Sequence, residues 1–177
     1  MKSWNADWAG RVEEALASRG RVGGRRSSSV PAEGEFRAEL SGFEEVPPRL
    51  TRGRGRFEAR LAPDGSSIEY TLEFSDLSSP STAAHLHFGQ PGVNGEIFAF
   101  LCGGAGRPGC PGTGGTVSGT LTPGDILGVP EQGLAPGDLE GALRIMRAGL
   151  AYVNVHSRMF PAGEVRGQVW FEGRGQG

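Results

Sequence analysis

The stretch "GRFEARLAPDGSSIEYTLEF", residues 55–74, decides the class of fold. Phe57, Ala59 and Leu61 alternate with charged neighbours, and Ile68, Tyr70, Leu72 and Phe74 alternate with Glu69, Thr71 and Glu73. Side chains on a strand point to opposite faces in turn, so each run presents one apolar face and one polar face. "PDG" at 63–65 is a tight-turn sequence, and the whole reads as a β-hairpin.

The same period-two pattern extends in both directions. "FRAELSG" alternates upstream, and downstream come "STAAHLHF", "GEIFAFL", "GGTVSGTLT", "AYVNVHS" and "GEVRGQVWF". One short helix interrupts them: Asp138 can cap "LEGALRIMR", with Leu139, Leu143 and Met146 on one side and Gly149 at its end. About eight strands and one short helix predict an all-β domain, a β-sandwich rather than a parallel sheet. The 31 glycines and 12 prolines gather between the apolar runs, as turns require. Residues 35–177 form this domain. Residues 1–34 differ in kind: Trp4, Trp8, Val12 and Leu16 recur at helical spacing, Asn5 can cap that helix, and a basic Gly/Ser-rich linker follows.

A net charge of −2 gives no electrostatic case for nucleic acid or an anionic membrane. No apolar run approaches the roughly 20 residues that span a bilayer. Cys102 and Cys110 bracket a glycine-rich loop; a disulfide there is favoured over free thiols or a two-cysteine metal clip. A structural disulfide implies an oxidising compartment. The expected location is therefore secreted, periplasmic or cell-surface, although the amino-terminal sequence has no continuous apolar signal segment.

The chain has three histidines, and all fall on strands opposite to core positions. His85 and His87 share one face of "AHLHF", with Ala84, Leu86 and Phe88 on the other. In "AYVNVHS", Tyr152, Asn154 and His156 oppose Ala151, Val153 and Val155. The three are expected to point outward and to converge on one ion. Neutral imidazole is a ligand of zinc and copper, and copper is preferred here because no cysteine or carboxylate joins the set. The alternative is a polar strand face with no metal. Tyr152, Asn154, Glu96, Glu164 and Arg166 are candidates for supporting groups around the ion. A faint internal echo links "HLHFGQPGVNGEIFAF" to "NVHSRMFPAGEVRGQV", each with histidine, then proline, then Gly-Glu. It suggests that the two strand–loop–strand units are neighbours or related by a pseudo-symmetry.

No nucleophile elbow occurs, the "RGRGR" run at 52–56 precedes a strand rather than a helix, and no carboxylate pair suggests an acid and a base. Catalytic residues are not assigned, and whether the chain is an enzyme stays open, the motifs leaning against it.

"FRAELSGFEEVPP", "SDLSSPSTAAHLHFGQPGVNGEI", "LCGG", "AYVNVHS" and "FPAGEVRGQV" resemble the CHRD domain, the module named after chordin, over about residues 35–171. The resemblance implies an immunoglobulin-like β-sandwich in a secreted or surface protein, and a module that contacts another protein or a surface polymer. A fainter likeness to copper-zinc superoxide dismutase, with its Greek-key sandwich, implies copper-ligand roles for His85, His87 and His156 and a substrate-guiding role for Arg166. The bridging histidine and the zinc loop of that enzyme have no counterpart here, so a metal-dependent oxidoreductase is the third reading.

Overall fold

The computed structural model describes residues 34–173. The expected Trp-bearing helix and linker lie outside the described residues, apart from Gly34. The strands are β1 (Gly34–Ser41), β2 (Arg54–Leu61), β3 (Ile68–Ser75), β4 (Ser81–Phe88), β5 (Glu96–Cys102), β6 (Gly115–Leu121), β7 (Ala151–Ser157), β8 (Val165–Gln168) and β9 (Trp170–Gly173). Helix α1 covers Leu139–Arg147. Every strand pairing is antiparallel, in the order β5-β4-β7-β8-β1-β2-β3-β6, with β9 beside β1.

This order is a single path, where an immunoglobulin-like sandwich would divide it into two sheets. The sheet curls into a nearly closed barrel with β5 and β6 as its free edges. Across the interior, the Tyr70 hydroxyl of β3 donates to the Leu101 carbonyl of β5 at 2.7 Å. Burial supplies the driving force. Phe36, Phe57, Ile68, Leu72, Leu86, Phe98, Leu101 and Leu121 are all within 2 % of complete burial, each worth about 1.5–3 kcal/mol.

The β2–β3 hairpin forms as its pattern predicts, with Phe57 opposite Leu72 and Ala59 opposite Tyr70. Its turn closes through Ala62 N–H to Ser67 O and Gly65 N–H to Ala62 O, both 2.8 Å. Gly65 takes φ +74°, a conformation that side-chain-bearing residues rarely adopt. Asp138 accepts from Gly141 N–H and so caps α1, and Leu139, Leu143 and Met146 face the core.

Nine strands appear among the described residues, against an expected eight or so. The extra one comes from "GEVRGQVWF", which divides at Val169. Arg166 pairs with Ser41 and Trp170 with Arg37, so β8 and β9 follow one register against β1. Between them Val169 N–H turns to Ala151 O of β7. Gly167 lies so close to β1 that a Cβ there would overlap the Glu39 carbonyl.

Cys102 and Cys110 are joined, with Cα atoms 5.2 Å apart. The bond ties the end of β5 to the loop that leads to β6. Oxidised protein should therefore resist alkylation until a reductant is added, by intact mass. Replacing both cysteines by serine should lower stability by about 2–3 kcal/mol in denaturant titration.

Candidate metal centre

The internal echo has a structural counterpart. β4 and β7, the two histidine strands, are direct neighbours, and the local order β5-β4-β7-β8 sets the two strand–loop–strand units back to back. His85 lies opposite Asn154. His87 stands two residues beyond His85 along β4, and His156 two residues beyond Asn154 along β7. The two histidines thus flank the His85–Asn154 pair diagonally, as a local two-fold would place them.

A row of side chains crosses the sheet here: Phe100 of β5, His85 of β4, Asn154 of β7 and Arg166 of β8. All face away from the core, because Ala84, Leu86, Val153 and Val155 occupy the inner face at 0 % exposure. The histidines point away from the core as expected, but the face they share is covered. His85 and His87 retain only 6 % and 7 % of their exposure, and His156 is half-buried. Loops return over this face and cover it. Tyr152 stacks on His87 with centroids 4.6 Å apart, and Phe100 meets His85 edge-on at 4.5 Å.

Two main-chain carbonyls fix the ring protons. His87 Nδ1 lies 2.9 Å from Gly95 O, and His156 Nδ1 lies 2.9 Å from Pro161 O. A carbonyl only accepts, so both Nδ1 atoms carry hydrogen and both Nε2 atoms of the neutral rings present a lone pair. Each carbonyl belongs to the loop that follows its own strand. Both Nε2 atoms turn to one place, 3.0 Å from Asn154 Oδ1, and His156 Nε2 is 3.1 Å from His85 Nδ1. One ring nitrogen from each histidine lies within 4.8 Å of the other two. Nitrogens bound at 2.0–2.1 Å to one tetrahedral ion sit roughly 3.3 Å apart. The spacing of His85 and His156 matches that requirement.

The supporting candidates separate into two groups. Tyr152, Asn154 and Arg166 belong to the cluster. Arg166 is 2 % exposed, its guanidinium carbon 3.5 Å from the Tyr152 ring centroid. It donates to Val93 O at 2.8 Å and to Gln90 O and Asn94 Oδ1 at 3.3 Å, clamping the loop that presents Gly95. The Tyr152 hydroxyl accepts from Gly95 N–H at 3.1 Å. Glu96 and Glu164 stand apart. Glu96 is an exposed residue at the start of β5. Glu164 accepts from Thr51 Oγ1 and Ser78 N–H, which tie two loops to the start of β8. Burial would raise its carboxyl, but the Ser157, Thr51 and Ser78 donors hold it below its ordinary value.

Glu45, Phe100, Gly95 and Pro161 complete the surroundings and were not anticipated. A carbonyl acceptor leaves no mark in residue type, and Glu45 reads as a loop carboxylate within "GFEEVPP". In the fold Glu45 is 5 % exposed, and burial lifts its carboxyl to about 7 despite the nearby Arg166 charge.

Burial also controls the imidazoles. It disfavours the cation, and the neighbouring rings add to the effect at His85, which falls to about 3. His87 falls to about 4, the Gly95 hydrogen bond opposing the shift, and burial lowers His156 as well. All three are neutral near pH 7, the form that binds metals.

A family model described as the CHRD domain matches residues 36–169. No curated protein and no solved structure matches the chain.

The signs of these shifts give a pH test. Below about 6.5 the unfolded chain takes up protons that the buried rings refuse, so their contribution declines from 6.5 towards 4 and 3. Glu45 acts in the opposite sense: its contribution is complete below 4.5 and lost as pH rises through about 7. In chelator-containing buffer the melting temperature should rise between roughly pH 4 and 6.5, and Glu45→Gln should steepen that rise. A flat profile over that range would contradict buried neutral imidazoles.

Proposed function

The chain belongs to the CHRD-domain family, and we propose that this member binds a copper or zinc ion through His85, His87 and His156 in an extracytoplasmic setting. The observation that carries the proposal is the pair of lone pairs aimed at one point: His87 and His156 each give the Nδ1 proton to a loop carbonyl and turn Nε2 to the same focus. Metal-ligating histidines characteristically donate their second ring N–H to a carbonyl or carboxylate, which fixes tautomer and ring orientation. His85 supplies the third nitrogen from the adjacent position. Such an arrangement is pre-formed for a ligand that accepts lone pairs. The Cys102–Cys110 disulfide suits an oxidising compartment, and among the described residues no helix is long and apolar enough to cross a membrane.

Binding is favoured over oxidoreductase chemistry, which needs an open coordination position, because His85 and His87 are buried. A metal-free interaction module is the second reading. It draws on Phe43, Leu50 and Met159, which lie outside the strands and are 68 %, 89 % and 60 % exposed. Apolar side chains so exposed are suited to meeting another protein or a surface polymer.

Protein purified without a histidine tag and titrated with zinc or copper(II) should take up one equivalent. His87→Ala should weaken binding by at least 100-fold while leaving the far-ultraviolet spectrum unchanged, since the core face is untouched. The depressed histidines should move proton competition below pH 6.5, with His87 and His85 taking up protons only as pH approaches about 4 and 3. Equal affinity in the parent and the His85→Ala/His87→Ala/His156→Ala variant would remove the proposal.

A further inference from the structure

Asn154 is the residue of the cluster whose placement the three-histidine set leaves unexplained. It is 4 % exposed. Its Oδ1 stands 3.0 Å from His87 Nε2 and 3.0 Å from His156 Nε2. Both ring nitrogens are lone-pair-bearing, because their Nδ1 atoms already donate to Gly95 O and Pro161 O. An amide oxygen facing two such nitrogens is a meeting of acceptors. That arrangement costs free energy unless something electron-deficient lies among them.

The amide could relieve the conflict by turning its NH2 group inward. The Glu45 side chain opposes that turn. It lies beside the Asn154 side chain, and its carboxyl is packed against Gly163, where a Cβ would overlap Oε1. Glu45 Oε1 is itself buried without a hydrogen-bond partner. A carboxyl oxygen behind the amide, an acceptor in either protonation state, favours the NH2 group on its side and leaves Oδ1 facing the histidines. Arg166 on the neighbouring strand, directly opposite Asn154, adds a balancing charge.

Building on the three-histidine reading, we infer that Asn154 Oδ1 is the fourth ligand, held in that orientation by Glu45, and that the site is a tetrahedral N3O site for a divalent ion. Oxygen donors suit zinc(II) and copper(II), whereas copper(I) is drawn to softer donors. The amide also explains why a histidine is absent from the position that mirrors His85. Three imidazoles and one short amide close four positions, and His156, on the half-exposed side, marks the route by which the ion enters.

The test uses the whole chain, zinc(II) for affinity and cobalt(II) as a spectroscopic stand-in. Asn154→Ala should lower zinc affinity tenfold or more and shift the visible cobalt(II) bands. Asn154→Asp, which keeps the shape of the side chain, should hold or tighten zinc and shift the bands in its own way. Glu45→Gln should weaken zinc binding several-fold when residue 154 is asparagine. It should have little effect in the Asn154→Asp background, because a carboxylate has no nitrogen face to turn inward. Should Asn154→Ala fail to fold, the Asn154→Asp spectrum and the Glu45→Gln pair decide the matter. If residue 154 leaves both zinc affinity and the cobalt(II) spectrum unchanged, the asparagine is no ligand and the three-histidine site stands without it. If the parent protein binds neither ion, both readings fall together.

Discussion

Two main-chain hydrogen bonds set the chemical character of this molecule: His87 to Gly95 and His156 to Pro161. Each settles which nitrogen of a ring carries hydrogen, and therefore which nitrogen is left to do anything else. Much of the surrounding structure serves to present those two carbonyls. Arg166 holds the loop that bears Gly95, and Tyr152 braces the same residue from below while covering His87. Remove the loops, and the histidine face would be an ordinary wet strand surface with imidazoles near their usual basicity. With the loops in place, burial keeps the rings neutral and their lone pairs directed.

The fold was legible wherever one face of a strand is dry and the other wet. The 55–74 hairpin, the capped helix and the strand assignments all follow from that alternation. The break at Val169 was not legible, because it arises from a change of hydrogen-bonding partner rather than of residue type. Nor could alternation distinguish one nearly closed sheet from two packed ones, since both demand the same pattern. At the site, the spacing of His85, His87 and His156 and the echo between their strands were sufficient to bring them together. Their burial was not visible, since whether a polar face is covered depends on where distant loops return. Glu45 was missed for the same reason: a carboxylate in a turn declares itself only by what lies beside it.

Family membership places the chain in a group defined by sequence over residues 36–169, but a shared fold does not carry a shared chemistry. Function therefore has to come from local electrostatics. A buried arginine, a carboxyl lifted by burial and three neutral imidazoles lie within a few side chains of each other. Interiors tolerate such groups when each has a partner, and an unpartnered carboxyl oxygen in that company signals a site built for more than packing.

Because the two decisive acceptors are peptide oxygens, the site places unequal demands on its loops. Position 161 contributes nothing from its side chain to that contact, so its identity is free to drift if the chain still delivers a carbonyl to the same point. Position 95 is less free, since any Cβ there would run into the Phe88 carbonyl. What evolution must keep is the reach of each connection. Insertion or deletion of a single residue between Phe88 and Glu96, or between Ser157 and Glu164, would silence the histidines more surely than most exchanges of side chain. Related chains with the histidines intact but connections of other lengths would keep the letters without the directed lone pairs.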